Sequence, residues 1–164
     1  NLGDGRFEEV SVLEGIAYDR EGRATSGMGI DVARFRNDVD IGIAIGNFAN
    51  EMTSLYVTQG SEPPLTDEAI VEGIGPASRR ALTFGLFFFD YDLDGRLDFL
   101  QANGHLELDI NKVQSSQYYR QAPQLFWNCG NNCRTSFLLQ PEGANGDLTT
   151  PLVGRGAGRG RPVG

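Results

Sequence analysis

Four aspartates lie close together near the middle of the chain, in the segment Asp90-Tyr-Asp-Leu-Asp-Gly-Arg-Leu-Asp98. Counted from Asp90, carboxylates stand at positions 1, 3, 5 and 9, and a glycine stands at position 6. Carboxylates packed this tightly repel one another unless a cation lies among them. A ligand set made only of oxygen suits Ca²⁺, which takes about six to eight oxygens, before Mg²⁺. The segment therefore predicts a calcium site, and the alternative is a solvated acidic turn.

The predicted ligands are four side chains and one backbone carbonyl. In calcium loops of this kind the residue at position 7 binds through its carbonyl, and its side chain is not used. Gly95, at position 6, allows the positive φ that folds the loop back around the ion. The full set is Asp90, Asp92, Asp94 and Asp98 through their carboxylates and Arg96 through its carbonyl.

The residues on either side of this loop indicate strands. Residues 82–89 are apolar and rich in aromatic side chains, which is typical of a strand. An EF-hand would carry a glutamate at position 12 and continue into a helix. Position 12 is Gln101, within the strand-like segment 99–103. The sequence therefore predicts a strand, a metal loop and a second strand, closed by Asp98.

An internal repeat supplies a second copy of this loop. Residues 28–33 match residues 84–89 at an offset of 56, and the same offset carries Asn47 onto Asn103. Residues 34–42 are therefore the first repeat's copy, but arginines replace the first two acids and Val39 replaces the glycine. A guanidinium repels a metal ion, so we expect no calcium there. We expect instead that Arg34 or Arg36 pairs with Asp38 or Asp40, so that a fixed cation takes the place of a bound one.

Composition favours a single all-β domain. The 164 residues are 40% apolar and include 22 glycines and 7 prolines, which suggests many turns between short strands. The net charge of −8 argues against nucleic acid as a partner, because phosphate binding needs a basic surface. No apolar run is long enough to span a membrane. The chain opens without Met, within a repeat, and we expect it to be a processed or partial chain.

The two cysteines are expected to form a disulfide. Cys129 and Cys133 flank a Gly-Asn-Asn turn, and in a hairpin their Cα atoms can approach to bonding distance. A disulfide would fit an oxidising compartment. Zinc is disfavoured because His105 is the single histidine. We expect His105 to be structural, and no catalytic triad or phosphate loop is recognisable, so the chain is not expected to be an enzyme.

The remaining segments are expected to connect the repeats. Residues 1–10 predict a tight turn and a short strand, and residues 61–80 a linker with at most one helical turn at 66–70. The insertion at 105–123 is long enough for a short helix. Residues 155–157 are interpreted as the opening of another repeat, and the alternative is a flexible basic tail.

The order of these motifs resembles FG-GAP/VCBS-type β-propeller repeats, in particular those of bacterial secreted proteins of the ASPIC/UnbV, cartilage acidic protein-like group. The resemblance rests on Gly-Met-Gly at 27–29, Gly-Asn-Phe at 46–48, Ser-Leu-Tyr at 54–56, Phe-Gly at 84–85, the loop at 90–98, Ala-Asn-Gly-His at 102–105 and Gln-Leu-Phe at 124–126. It implies that the acidic loop joins two strands of a blade and binds Ca²⁺. The loop at 34–42 and the paired cysteines depart from the family pattern.

This resemblance implies antiparallel blades in an incomplete propeller. Residues 1–26 would end a preceding blade and lead into a linker, residues 27–78 would form the repeat with the degenerate loop, and residues 79–150 the repeat with the calcium loop. Residues 151–164 would start a further repeat or form a Gly/Arg-rich tail. Two repeats cannot close a ring that needs about four to eight blades. We therefore expect a fragment of a larger propeller, or a protomer completed by identical neighbours.

The expected function is that of a non-enzymatic calcium-binding segment in adhesion or in surface or filament assembly. The expected location is extracellular or at the cell surface of a bacterium. Expected partners are copies of the chain or other blades of a larger propeller, with a glycan or protein as a further ligand, and neither nucleic acid nor a membrane span is expected. The alternative is a carbohydrate-binding or carbohydrate-processing accessory domain on the same scaffold.

Overall fold

The fold is all-β, as predicted, with two four-stranded antiparallel sheets. The computed structural model describes residues 1–141 and 143–158. Each sheet takes its strands in chain order, and no sheet closes on itself within the described residues. The first contains β1 (Ile30–Ala33), β2 (Gly42–Ile45), β3 (Ser54–Thr58) and β4 (Leu65–Asp67). The second contains β5 (Thr83–Phe89), β6 (Asp98–Asn103), β7 (Gln124–Asn128) and β8 (Phe137–Leu139).

The described helical segments are short and lie outside the strands. They are α1 (Gly75–Ser78), α2 (Ile110–Val113) and two 3₁₀ turns (Gly130–Asn132 and Gly146–Thr149). Helix α2 confirms the short helix predicted within the insertion at 105–123. No helix in the described part of the chain has the length and apolar character needed to cross a membrane.

One apolar core lies between the two sheets. Its phenylalanines pack ring against ring: Phe88 lies 5.0 Å from Phe99 and Phe35 lies 5.2 Å from Phe137, measured between centroids. Burying one such side chain stabilises a fold by roughly 2–3 kcal/mol. The buried members are Phe35, Ala44, Leu55, Val57, Ala69, Ile74, Leu86, Phe88, Phe99, Phe126 and Phe137.

Burial alternates along strand β5: Leu86 and Phe88 are buried, whereas Phe87 and Phe89 are half-buried. The reason is that side chains of a strand alternate between faces, and the core shared with the first sheet covers only one of them.

The internal repeat is visible in the hydrogen bonds of two asparagines. The Nδ2 atom of Asn47 donates to the Met52 carbonyl at 2.8 Å and to Ser54 Oγ at 3.0 Å. Asn103, at an offset of 56, donates from Nδ2 to the Ala122 carbonyl at 2.9 Å and to Gln124 Oε1 at 3.3 Å. Each asparagine thus ties the end of the second strand of its sheet to the start of the third.

Contacts from each sheet to the segment that follows it repeat as well. The Asn47 carbonyl accepts a hydrogen bond from Thr83 N at 3.1 Å, and the Asn103 carbonyl accepts one from Gly154 N at 2.9 Å. Gly85 packs against the backbone of residues 156–157, so that a Cβ would collide with it. Residues 153–157 therefore approach β5 much as the start of β5 approaches the first sheet. Residues 159–164, the rest of the predicted repeat or tail, lie outside the described residues.

Two local predictions were wrong. Residues 7–10 form no strand, and Phe7 is 76% exposed, because no described strand pairs with this segment. Residues 66–67 belong to β4 and not to a helical turn, because they pair with β3 in the register Val57↔Thr66. The helical turn lies further on, where Glu72 N donates to the Glu68 carbonyl at 2.8 Å.

Candidate metal centre

A hairpin brings three of the four aspartates of the acidic loop (residues 90–98) together. Asp98 begins β6 opposite Phe89, the last residue of β5, so that Asp90 and Asp98 flank the base of the loop. Carboxylate oxygens of Asp90, Asp92 and Asp98 all lie within 4.8 Å of one another. Asp98 is fully buried, Asp90 is half-buried and Asp92 is exposed. The strand–loop–strand prediction is confirmed.

The backbone of the acidic loop curls around Asp90. The backbone N–H groups of Asp94 and Gly95 each donate to the Asp90 carboxylate at 3.0 Å. Gly95 has a φ of 87°, as predicted, and Leu93 also has a positive φ, of 62°. The Leu93 conformation is rare for a residue with a side chain, and it was not predicted.

Asp98 lies in an environment that disfavours its charge. Burial raises the pKa of this carboxyl, and the charges of Asp92 and Asp94 raise it further, whereas two backbone N–H groups act in the opposite direction. Those groups belong to Asn128 and Tyr91, which donate to Asp98 at 2.8 and 2.7 Å. A cation beside Asp98 would favour the ionised form.

Asp94 does not join the other three acids. Its carboxylate pairs with the Arg96 guanidinium, and Arg96 Nε donates to the Asn128 carbonyl at 2.7 Å. This arrangement holds Arg96 at the side of the loop. No described residue donates a hydrogen bond to the Arg96 carbonyl, the predicted backbone ligand.

The residues present fit a hard divalent cation. Three carboxylates converge, one of them buried, and among the described residues the only cationic group paired to the loop is Arg96, which binds Asp94. Oxygen ligands of this kind suit Ca²⁺ or Mg²⁺ and not the softer metals that prefer sulfur or imidazole. The chain would hold such an ion through Asp90, Asp92 and Asp98.

Two residues of β7 support the loop and were not predicted. Trp127 Nε1 donates to Asp92 Oδ2 at 2.8 Å. Asn128 Nδ2 donates to the carbonyls of Leu97 and Phe35, at 2.9 and 2.8 Å, and so links the loops of both sheets. The pairing of β6 with β7 places these residues beside Asp98, and the spacing of residues within the loop does not reveal that pairing.

The equivalent loop of the first sheet, the arginine loop (residues 34–42), contains its own cation. Arg36 Nε lies 2.8 Å from Asp40 Oδ2, which confirms the predicted pairing of an arginine with Asp40. Arg36 Nη1 also lies 2.7 Å from Glu68 and 3.0 Å from Glu72. These glutamates follow β4, and sequence reasoning missed them. Arg34 is exposed.

Charges in the arginine loop stabilise one another. Hydrogen bonds from the Asn37 side chain, the Gly60 N–H and the Arg36 guanidinium lower the pKa of Asp40 to about 2. Burial opposes the charge of Arg36, but the hydrogen bonds and charges of its acidic neighbours outweigh it and raise the pKa of the guanidinium. Neither group therefore requires a metal to remain ionised.

The remaining predicted residues lie near the second sheet. Cys129 and Cys133 are at disulfide distance, with Cα atoms 6.0 Å apart, as predicted. His105 is buried, and its Nδ1 accepts a hydrogen bond from the Glu107 N–H at 3.0 Å. Burial lowers the pKa of this histidine. These contacts fit the structural role expected for it.

Comparison with known proteins adds no assignment. No protein-family model matches the chain, and neither a curated protein nor a solved structure matches it. The resemblance to FG-GAP/VCBS repeats therefore rests on the order of the motifs in the sequence and remains a prediction.

Proposed function

We propose that this chain is a non-enzymatic, calcium-stabilised segment of an extracellular β-propeller that serves in adhesion or surface assembly. The observation that carries the proposal is the convergence of Asp90, Asp92 and Asp98 around a fully buried carboxylate. The equivalent loop of the first sheet has Arg36 among its acids, whereas no cation pairs with these three in the described residues. A bound ion would supply the missing charge.

Calcium suits this loop better than magnesium. Mg²⁺ requires near-ideal octahedral geometry and gives up its water reluctantly, whereas Ca²⁺ accepts irregular sets of carboxylates and carbonyls. When bound, the ion would supply charge neutralisation only. The chain's own residues do the rest: Asp98 anchors the site to β6, and Gly95 and Asp94 hold Asp90 in place through their N–H groups.

The repeated contacts between successive segments support a propeller. Strands β1 and β5 lie side by side, and Asp31 Oδ2 on β1 accepts a hydrogen bond from Phe88 N on β5 at 2.8 Å. Residues 153–157 approach β5 in turn. The half-buried Phe87 and Phe89 face away from the shared core, where a third sheet would cover them. Other blades, or copies of this chain, would complete the ring.

An extracellular location is proposed on two grounds. The cysteine pair at disulfide distance would persist in an oxidising compartment. The net charge of −8 favours solubility, and millimolar calcium outside cells would load a surface loop of moderate affinity.

Calorimetric titration and thermal melting with CaCl₂ and MgCl₂ test the calcium assignment. We expect Ca²⁺ to bind at one site and to raise the melting temperature, and Mg²⁺ to do so more weakly. Asp92→Asn should abolish most of the effect, because it removes one converging charge while keeping an oxygen for Trp127. Asp109→Asn is the matched control, since Asp109 is exposed and its one ion pair among the described residues is with Lys112. Equal responses of both variants to Ca²⁺ would refute the assignment.

Assembly is tested separately, by light scattering and electron microscopy of the purified protein. If copies of this chain complete one another, we expect closed rings or filaments. A stable monomer in light scattering, with both termini ordered in solution, would argue against both the fragment and the self-completing protomer.

A further inference from the structure

A cavity of about 660 Å³ lies beside the insertion at 105–123, and no member of the acidic trio (Asp90, Asp92 and Asp98) lines it. Its described walls include residues of the insertion at 105–123, of α1 and the turn after it, and of the segments 139–140 and 145–151. Its size falls within the range of about 300–1,000 Å³ that is usual for small-ligand sites. The insertion is specific to the second sheet: residues 104–123 connect β6 to β7, whereas residues 46–53 connect β2 to β3.

The wall of this cavity is fixed by backbone hydrogen bonds on both sides. Gln121 N donates to the Leu152 carbonyl at 2.9 Å, and Leu152 N donates to the Gln121 carbonyl at 3.2 Å. On the other side, His105 N donates to the Tyr119 carbonyl at 2.9 Å. The Gln121 side chain accepts a hydrogen bond from Leu82 N at 2.9 Å. The segment that carries Tyr119 and Arg120 is therefore preorganised, as a binding site requires.

The charge of the cavity is opposite to that of the whole protein. Its described lining includes two arginines, Arg80 and Arg120, and no aspartate or glutamate, although the chain carries 22 acidic and 14 basic residues. Neither arginine forms an ion pair with a described residue; the ion-paired cations are Arg6, Arg23, Arg36, Arg96 and Lys112. The cavity thus presents two guanidinium groups that suit a carboxylate.

Neutral groups in the lining suit a hydroxylated ring. The side chains of Asn111, Tyr118, Tyr119 and Gln140 line the cavity, and in the described structure they make no hydrogen bond. Tyr118 is 62% exposed and offers a flat aromatic face. A pyranose presents an apolar C–H face to such a ring and hydroxyls to amides, and a uronate adds a carboxylate for arginine.

We propose that this cavity binds an acidic saccharide, with Arg80 and Arg120 on the carboxylate, the amides of Asn111 and Gln140 on hydroxyls, and Tyr118 against the sugar ring. The proposal does not depend on the metal site, because no member of the acidic trio lines the cavity.

The test is calorimetric titration with a tetrasaccharide of alternating glucuronate and N-acetylglucosamine, in parallel with its uncharged methyl ester. We expect the acid to bind roughly tenfold or more tightly than the ester. Arg80→Gln and Arg120→Gln should each remove most of that difference. Tyr118→Ala should weaken both forms by a similar factor. Arg79→Gln is the control, because it makes the same charge change next to Arg80 and outside the cavity lining.

Several results would overturn the proposal. Any one of three suffices: the wild-type protein does not bind the saccharide, it binds the acid and the ester with equal affinity, or the Arg80, Arg120 and Tyr118 variants bind as tightly as the wild type. Competition by inorganic phosphate at the sugar's own affinity would mean a general anion site. If Asp92→Asn abolishes saccharide binding and Arg120→Gln does not, the sugar binds at the acidic loop. If Asp92→Asn still binds the saccharide, the sugar site is separate from the metal site.

Discussion

The arginine loop and the acidic loop occupy the same place in two similar sheets, yet they handle their acids in opposite ways. Each joins the first two strands of its sheet. In the arginine loop, Arg36 binds Asp40, Glu68 and Glu72. In the acidic loop, Asp90, Asp92 and Asp98 converge without such a partner in the described residues. In the first hairpin the cation is the side chain of Arg36, and in the second, we propose, it is a calcium ion bound from solution.

The pKa values of the two loops follow this difference. The pKa of Asp40 is lowered to about 2 by its donors, whereas burial raises that of Asp98. A lowered carboxyl pKa means that the folded state favours the charge, and a raised one means that it disfavours the charge. A fixed guanidinium thus keeps Asp40 ionised without a metal, whereas the stability of the acidic loop would depend on calcium if the proposed site binds it.

The largest effect is expected when the fixed cation is removed. Arg36→Gln would leave three carboxylates together, with Glu72 buried. We expect a loss of roughly 2–3 kcal/mol in the free energy of unfolding, because an acid left partly buried without its partner costs its desolvation. Urea denaturation measures it. Arg34→Gln is the control, since Arg34 is exposed on the same loop, and an equal loss there would show that Arg36 has no special role.

The cysteine pair adds a second asymmetry, since the first sheet contains no cysteine. It closes a loop with a sequence separation of 4, for which chain entropy predicts a contribution of roughly 2 kcal/mol. We expect dithiothreitol to lower the urea midpoint of the wild-type protein accordingly. The double variant Cys129→Ala/Cys133→Ala should not respond to the reductant, and a wild-type midpoint that also stays fixed would contradict the prediction.

A smaller effect is expected at Trp127, whose Nε1–H orients Asp92. Trp127→Phe keeps an aromatic ring but removes the donor, so we expect a loss of about 1 kcal/mol of stability and about tenfold weaker calcium binding. Both are measured by melting across a calcium titration. In the wild-type protein this residue, the single tryptophan, should report calcium by its fluorescence. Unchanged calcium affinity in the variant would mean that Asp92 does not depend on the hydrogen bond from Trp127.

The smallest expected effect is on the pH dependence of stability, and it appears only in acid. The pKa of Asp40 is about 2 in the folded state and 3.8 as its ordinary value. Its ionised form therefore contributes stability above about pH 4, and this contribution is lost as the pH falls towards 2. Asp40→Asn should lack this part of the slope when the urea midpoint is followed between pH 5 and pH 2. Parallel curves for the two proteins would show that Asp40 is not the group responsible.

Much of the site was predictable from local spacing. The acids of the loop, the turn at Gly95, the flanking strands and the pairing of an arginine with an acid in the first repeat's loop were all expected, and each is found in one of the two hairpins. The exception is Asp94, which binds Arg96 and not the other acids. Arg96 is only two residues from Asp94, and the two side chains form an ion pair with each other. The spacing of the acids alone does not show that Arg96 competes for Asp94.

The repeat and the charges of each loop can be predicted from neighbouring residues: one hairpin occurs twice, with acids in one copy and arginines in the other. The contacts between distant groups follow from the fold. Glu68 and Glu72 reach Arg36, Asn128 joins both loops, and the insertion folds against residues 151–152 to enclose a cavity. Those contacts depend on strand pairing and on the packing of two sheets about one core, which bring together residues that are far apart in the sequence.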